Sequence, residues 1–197
     1  MEDSHNTSME SPFLTVITRH FSKRVKYLQK CKESLSNQTD PDYQQILLID
    51  DVGRGMDYAN KLFTIFKDTT DIRGKYVLIL DDDDVVEDRE FIKELKKVVT
   101  YNDYPDIIYM KGKIPPYGIL PSTCWGKKPQ YANIGSFNFV IAPYLYLKHI
   151  NKWGTTATGG DFKFIEAVHN DSYVKKIHYW DRIICSAPLA NRGKGDK

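Results

Sequence analysis

Residues Gly74–Asp84 read GKYVLILDDDD, an apolar run of strand length that ends in four consecutive carboxylates. The apolar part, Tyr76–Leu80, predicts a buried strand. Four like charges at the end of a strand repel one another, so such a run either lies in water or gathers around a cation. Two segments that precede this stretch in the sequence help to decide between solvent exposure and a cation site.

Two earlier segments have the same form. Phe13–Thr18 is β-branched and apolar and is followed by Arg19-His20, and Gln45–Ile49 is followed by Asp50-Asp51. An amphipathic helix is expected after each strand, the first starting at an N-cap Ser22 and the second covering Met56–Phe66. This alternation predicts βαβ units, a mainly parallel sheet and right-handed crossovers.

Ligands of open α/β sheets bind at the carboxyl ends of the strands. The residues after the three strands should therefore converge on one edge of the sheet.

The rest of the chain continues with helices and strands around one long loop. Its predicted elements are a helix with an apolar stripe from Phe91 to Val99, a strand at Asp106–Met110, a strand at Ser136–Ala142, helices at Tyr144–Ile150 and Asp161–His169, and one or two strands within Tyr173–Ser186. The Pro- and Gly-rich segment 114–129 is either a lid over a ligand or a connector.

The bulk composition predicts one α/β domain over residues 12–190, with a disordered lead-in at 1–11 and a basic tail at 191–197. The net charge of +2, from 28 basic and 26 acidic residues, gives no field that favours nucleic acid. No apolar run approaches the roughly 20 residues of a membrane helix, and residues 1–8 do not form a signal peptide, so a cytosolic protein is expected. The three cysteines have no metal-ligand spacing and are expected to be reduced and structural.

The carboxylate run suggests a chemistry. Asp81 and Asp83 would point the same way from an extended chain, roughly 6 to 7 Å apart. One of them could then bind a sugar hydroxyl and the other a cation. Mn²⁺ or Mg²⁺ takes oxygen ligands and bridges diphosphate oxygens, so the natural partner of the site is a nucleotide diphosphate.

Several motifs resemble family 2 glycosyltransferases, which have the GT-A fold. They are Thr15-Val16-Ile17-Thr18, Leu35-Ser36-Asn37-Gln38, Ile46-Leu47-Leu48-Ile49-Asp50-Asp51 and Gly74–Asp83, in matching order and spacing over roughly residues 12–100. Gly159-Gly160-Asp161 is similar to the later Gly-Glu-Asp segment of that family. The resemblance implies a nucleotide-sugar-binding half at 12–111, a short acceptor half at 112–190, and metal-dependent transfer of a sugar to a carbohydrate or other hydroxyl acceptor.

The resemblance also implies residue roles. Asp51 would bind the donor base, in a pocket shared with Asp50 and with Thr18, Arg19 and His20. Asp81 would lie near the ribose and Asp83 would hold the metal on the diphosphate, whereas the adjacent Asp82, also in the donor set, is expected to face away from both. Asp161 would be the catalytic base, and a UDP-sugar is the first candidate donor.

Other interpretations stay open for several of these residues. Asp161 is equally typical of a helix N-cap. His178 could be a third metal ligand, a phosphate contact or a structural residue, and Arg192 with Lys194 could close over the diphosphate or belong to a frayed tail.

The departures from the family pattern narrow the predicted activity. The chain has Val52-Gly53 where the family often has Gly-Ser, and Gly160 where it often has Glu. It lacks the Gln-x-x-Arg-Trp motif of processive synthases, so a single-transfer enzyme is expected, and the resemblance to the family implies an inverting one. The alternatives are a non-catalytic binding domain of the same fold and a metal-dependent nucleotidyltransferase, although the chain has no N-terminal Gly-rich phosphate loop.

Overall fold

The computed structural model describes residues 11–115, 117–155 and 158–188, apart from the side chain of Thr155. Within them, eight strands form one sheet: β1 (Leu14–Phe21), β2 (Tyr43–Asp50), β3 (Tyr76–Ile79), β4 (Val85–Val86), β5 (Ile107–Ile114), β6 (Gly118–Leu120), β7 (Phe139–Ile141) and β8 (Ile177–Ser186). The α-helices are α1 (Val25–Ser36), α2 (Met56–Ile65), α3 (Phe91–Tyr101), α4 (Pro143–His149) and α5 (Gly160–His169), and short 3₁₀ helices cover Ser136–Asn138 and Ile150–Thr155.

The strand order of the sheet is β2-β1-β3-β7-β5-β8-β4, with β6 paired to β5 as a hairpin. β1 is parallel to β2 and β3, and β5 is parallel to β8. β7 lies antiparallel between β3 and β5, so the long strands on both sides of it still run in one direction. The carboxyl ends of β1, β2 and β3 therefore lie at the same edge, as predicted.

Apolar side chains cover both faces of the sheet. Val16 and Leu78 pack with α1 and α3 on one face, whereas Ile17, Val77 and Ile79 pack with α2, α4 and α5 on the other. Adjacent residues of a strand point to opposite faces. Neighbouring residues at the carboxyl end of β1 therefore point to opposite faces of the sheet.

Several sequence predictions are wrong in detail. α1 begins at Val25 with Arg24 as its N-cap, and not at Ser22, whose N–H donates to the Asp50 carbonyl at 2.9 Å. Ser136–Ala142 contains the short strand β7, and its antiparallel insertion breaks the expected series of βαβ units. The long loop contributes the hairpin strand β6.

The boundary between residues 111 and 112, predicted to separate two halves, falls inside β5. Residues 1–10 of the expected lead-in and the whole basic tail lie outside the described residues. Across the described part of the chain, no helix has both the length and the apolar character needed to cross a membrane.

Candidate functional site

The four aspartates form a closed turn after β3. The Asp84 N–H donates to the Asp81 carbonyl at 3.0 Å, and the Asp84 carboxylate accepts the Asp81 N–H at 3.0 Å. The chain is therefore not extended here, and the spacing of 6 to 7 Å expected from strand geometry does not apply. The side chain of Asp84 is buried inside the turn. Burial, together with the charges of Asp81 and Asp83, raises the pKa of Asp84 well above its usual value.

Arg19 holds Asp81 on the α2 side of the sheet. Its guanidinium donates from Nε to Asp81 Oδ1 at 2.8 Å and from Nη2 to Oδ2 at 2.6 Å, which is a bidentate pair. Burial lowers the pKa of Arg19, but the charge and hydrogen bonds of Asp81, together with the charges of Asp161 and Asp84, outweigh that effect and raise it, so the guanidinium stays charged.

A polar and aromatic cage surrounds this guanidinium. Nη1 of Arg19 donates to the side-chain oxygen of Asn60, which also accepts the indole N–H of Trp153 at 3.1 Å. The guanidinium carbon lies 5.2 Å from the ring centre of Phe63 and 5.5 Å from that of Trp153. The cage fixes Arg19 in position, and with it the orientation of the Asp81 carboxylate.

Asp161 is the second residue of α5, close enough to Arg19 and Asp81 for their charges to affect its pKa. Burial raises the pKa of Asp161, the Phe162 N–H bond and Arg19 lower it, and Asp81 adds a smaller rise. The N-cap of α5 is Gly159, so the alternative that Asp161 caps the helix is wrong. An acidic side chain in the first turn is still favoured by the helix dipole.

The two glycines before Asp161 allow α5 to begin close to its neighbours. Gly159 has a φ of +70°, and a Cβ there would lie 2.5 Å from Cε2 of Tyr131. A Cβ on Gly160 would lie 2.6 Å from Cδ1 of Trp153 and 2.8 Å from its carbonyl oxygen. Glutamate therefore does not fit at position 160, which explains why the chain departs from the Gly-Glu-Asp pattern.

A second ionic network lies on the α1 side of the same edge. His20 Nδ1 lies 2.9 Å from Asp82 Oδ2, which also accepts the Phe21 N–H at 3.2 Å. Arg24 bridges the two aspartates, with Nη1 2.9 Å from Asp82 Oδ1 and Nη2 2.6 Å from Asp83 Oδ2. Asp82 thus faces away from Asp81, as predicted, and is almost fully buried. It shares Arg24 with Asp83, so the expectation that it also faces away from Asp83 is wrong.

Four of the predicted donor-binding side chains are buried in structural contacts. Thr18 accepts the Gln45 side-chain N–H at 2.9 Å, and Asp50 accepts the N–H groups of Val52 and Gly53 at 3.0 and 2.8 Å. His20 and Asp82 bind each other. Because Arg19 and His20 follow each other in β1, they point to opposite faces and cannot line one pocket. Internal contacts therefore occupy the side chains of Thr18, His20, Asp50 and Asp82, and Arg19, Asp81 and the exposed Asp51 remain at the edge.

The structure separates His178 from the acidic turn. His178 is the second residue of β8, and the sheet registers place it in line with Ile108, Val140 and Leu78. It is thus three strand spacings, or about 14 Å, from β3 and closer to the amino ends of the strands. The prediction of His178 as a metal ligand beside Asp83 is wrong, and the predicted donor contact Arg192 lies outside the described residues.

The acidic turn fits only one kind of metal site. Nowhere in the described ranges do three or more His, Cys, Asp or Glu side chains form a group that could hold a metal ion. Mg²⁺ often takes one or two carboxylates and completes its shell with water and substrate phosphates. The partly exposed side chain of Asp83 (22%) fits such a shared ion, whereas both carboxylate oxygens of Asp81 accept hydrogen bonds from Arg19.

Sequence reasoning missed Arg24, Asn60 and Trp153. Asn60 interrupts the apolar stripe of α2, which is the one local signal that a buried side chain there has a polar partner. Arg24 and Trp153 have no such signal, because the ion-pair partners of Arg24 and the hydrogen-bond partner of Trp153 are at least 58 positions away in the sequence.

No protein-family model matches the sequence, and no curated protein matches it either. Two structures of S. aureus TarS match 89% of this chain at 14% identity, with TM-scores of 0.63 for residues 1–349 and 0.64 for TarS. The chain spans 60% and 36% of those two structures.

A glycosyltransferase involved in the glycosylation of the major capsid of PBCV-1 matches 86% of the chain at 15% identity, with a TM-score of 0.50 and 82% of its own length covered. At these identities the likeness concerns the fold alone. The chain therefore has the fold of glycosyltransferases, which confirms the predicted α/β class with a mainly parallel sheet flanked by helices.

Proposed function

We propose that this chain is a glycosyltransferase that moves a sugar from a nucleotide-diphosphate sugar, with UDP-sugars as the first candidates, to a carbohydrate or other hydroxyl acceptor. The observation that carries the proposal is the meeting of Arg19, Asp81 and Asp161 at the carboxyl ends of the strands, in a fold shared with glycosyltransferases. Ligands of α/β sheets bind at this edge.

Asp161 is the proposed general base. A partly buried carboxylate with a raised pKa accepts a proton more readily than an exposed one, and the positive charge of Arg19 favours the ionised form of Asp161, which is the form that acts as a base. Asp161 would take the proton of the acceptor hydroxyl as the hydroxyl attacks the anomeric carbon. A single base at this position supports inversion in one step. One transfer per acceptor is proposed because the chain has no Gln-x-x-Arg-Trp motif of processive synthases.

Asp81, Asp83 and Asp51 are the proposed donor-binding side chains. Asp81, fixed by Arg19, would accept hydrogen bonds from the ribose hydroxyls, and Asp51 would contact the base from its exposed position at the end of β2. Asp83 would share a Mn²⁺ or Mg²⁺ ion with the donor diphosphate. A bound divalent ion acts as a Lewis acid that stabilises the leaving diphosphate.

A screen for hydrolysis of several nucleotide sugars tests this function. Wild type should release the nucleoside diphosphate from at least one donor when Mn²⁺ is present. Asp83→Asn should show no increase in this hydrolysis when Mn²⁺ is added. A protein that binds a nucleotide sugar without hydrolysis or transfer is instead a binding domain of this fold. This is the second candidate because four of the expected donor-binding side chains are buried in structural contacts. Absence of any nucleoside diphosphate binding with metal contradicts both.

A further inference from the structure

Arg24 closes the acidic turn with its own positive charge. It is the N-cap residue of α1 and reaches across to Asp82 and Asp83, with N–O distances of 2.9 and 2.6 Å. Its guanidinium carbon lies 5.0 Å from the ring centre of Tyr27. A positive charge of the protein itself thus lies against Asp83, the carboxylate that the proposed function assigns to a metal.

The two contacts of Arg24 differ in their surroundings. Asp82 is buried, and its Oδ2 has independent partners in His20 and the Phe21 N–H, whereas its Oδ1 is held by Nη1 of Arg24. Asp83 is partly exposed, and the Arg24 side chain itself is 34% exposed. Nη2 can therefore leave Asp83 for solvent or for another anion while Nη1 stays on Asp82 Oδ1, so no buried carboxylate oxygen loses its partner.

We propose that Arg24 is a displaceable counter-ion: a divalent cation and Arg24 compete for Asp83, and the displaced guanidinium binds the diphosphate that arrives with the metal. The inference rests on the proposed function, which supplies the diphosphate. On this inference, Arg24 is the cation beside Asp83 when no ligand is bound, and it contacts the donor diphosphate when the donor and metal are bound.

Competition of this kind couples metal and nucleotide binding. Metal alone must displace Arg24 with no anion to receive the guanidinium, so it binds weakly. When a diphosphate is present, it receives the guanidinium and also supplies oxygen ligands to the metal. Binding of one ligand therefore strengthens binding of the other, and by linkage the effect is reciprocal.

The test measures Mn²⁺ affinity by electron paramagnetic resonance, with and without UDP, after subtraction of the Mn²⁺ that UDP binds in solution. In wild type, UDP should tighten Mn²⁺ binding about tenfold. Arg24→Gln should bind Mn²⁺ alone about fivefold more tightly, which is the size expected for loss of one partly exposed ion pair, and UDP should then change the affinity by less than about twofold. Lys23→Gln removes the same charge from an exposed neighbouring position and should behave as wild type.

Circular dichroism establishes that each variant is folded, and Arg24→Lys, which keeps the charge without the forked geometry, should lie between wild type and Arg24→Gln. Equal Mn²⁺ affinity in wild type and Arg24→Gln overturns the proposal. So does failure of both Arg24 variants to fold, because the guanidinium would then be a fixed structural group. If wild type binds no UDP with Mn²⁺, the proposed function fails, while the effect of Arg24→Gln on Mn²⁺ alone still decides whether Arg24 competes for Asp83.

Discussion

Replacing Asp81 with asparagine leaves the buried guanidinium of Arg19 without its bidentate carboxylate. Removing one partner of a buried ion pair costs about 3 to 5 kcal/mol. The side chain of Asp81 is 25% exposed, and Arg19 keeps its bond to Asn60 and its two aromatic neighbours, so water and the cage recover part of that cost. We expect Asp81→Asn to lower the free energy of unfolding by about 2 to 3 kcal/mol.

A double-mutant cycle separates this pair from its surroundings. Arg19→Met removes the guanidinium but keeps an apolar side chain against Phe63 and Trp153, and the asparagine of Asp81→Asn then has no buried charge to leave unpaired. The double variant should therefore be more stable than the sum of the single losses predicts, by about 1 kcal/mol or more.

Urea unfolding followed by tryptophan fluorescence and circular dichroism measures these losses. Asp71→Asn is the matched control, because its ion pair with Arg73, 3.2 Å apart, is exposed and should contribute less than about 0.5 kcal/mol. If the two single losses add to within about 0.5 kcal/mol, Arg19 does not hold Asp81 in the way that the distances indicate.

Three further predictions follow from the site. Gly160→Ala should destabilise the chain by about 1 to 3 kcal/mol because its Cβ meets Trp153, whereas Gly135→Ala, whose nearest neighbour would be 3.6 Å away, should have little effect in the same urea assay; equal losses would contradict the packing argument. Because burial raises the pKa of Asp84, the folded state binds its proton more tightly than the unfolded chain, and stability should fall as the pH rises from about 4 through the folded pKa. Asp84→Asn should remove that fall, so unfolding at acidic and alkaline pH shows a flatter profile than in wild type, and an unchanged profile would refute a raised pKa. Asp161→Asn should reduce sugar transfer at least about 100-fold with unchanged UDP affinity, and retention of transfer would exclude it as the base.

Apolar patterns predicted most strands and helices, because the periodicity of a segment reflects which face it buries. The runs ending near Thr18, Ile49 and Leu80 became β1, β2 and β3, with carboxylates at the ends of β2 and β3 as expected. The insertion of β7 between β3 and β5 could not be predicted, because strand order depends on pairing between distant segments.

The site was predictable only where local geometry decides the contacts. Asp81 was expected at this edge because it follows a strand of the sheet. Asp161 was assigned to the site from the resemblance of Gly159-Gly160-Asp161 to a family segment, and its charge interacts with those of Arg19 and Asp81. β1 extends to Phe21, however, so Arg19 and His20 fall on opposite faces, which a loop after Thr18 would not have required. The turn formed by Asp81–Asp84 depends on the buried carboxylate of Asp84, and the sequence alone does not show which of four adjacent aspartates is buried.

The central claim is that a metal-bound nucleoside diphosphate occupies the carboxyl edge of β1 and β3. Crystals grown with UDP and Mn²⁺, measured at the manganese absorption edge, test it most directly. We predict one anomalous peak about 2.2 Å from a carboxylate oxygen of Asp83, adjoining the diphosphate, with the Arg24 guanidinium moved off Asp83. A nucleotide bound elsewhere, or Mn²⁺ without contact to the acidic turn, would contradict the account.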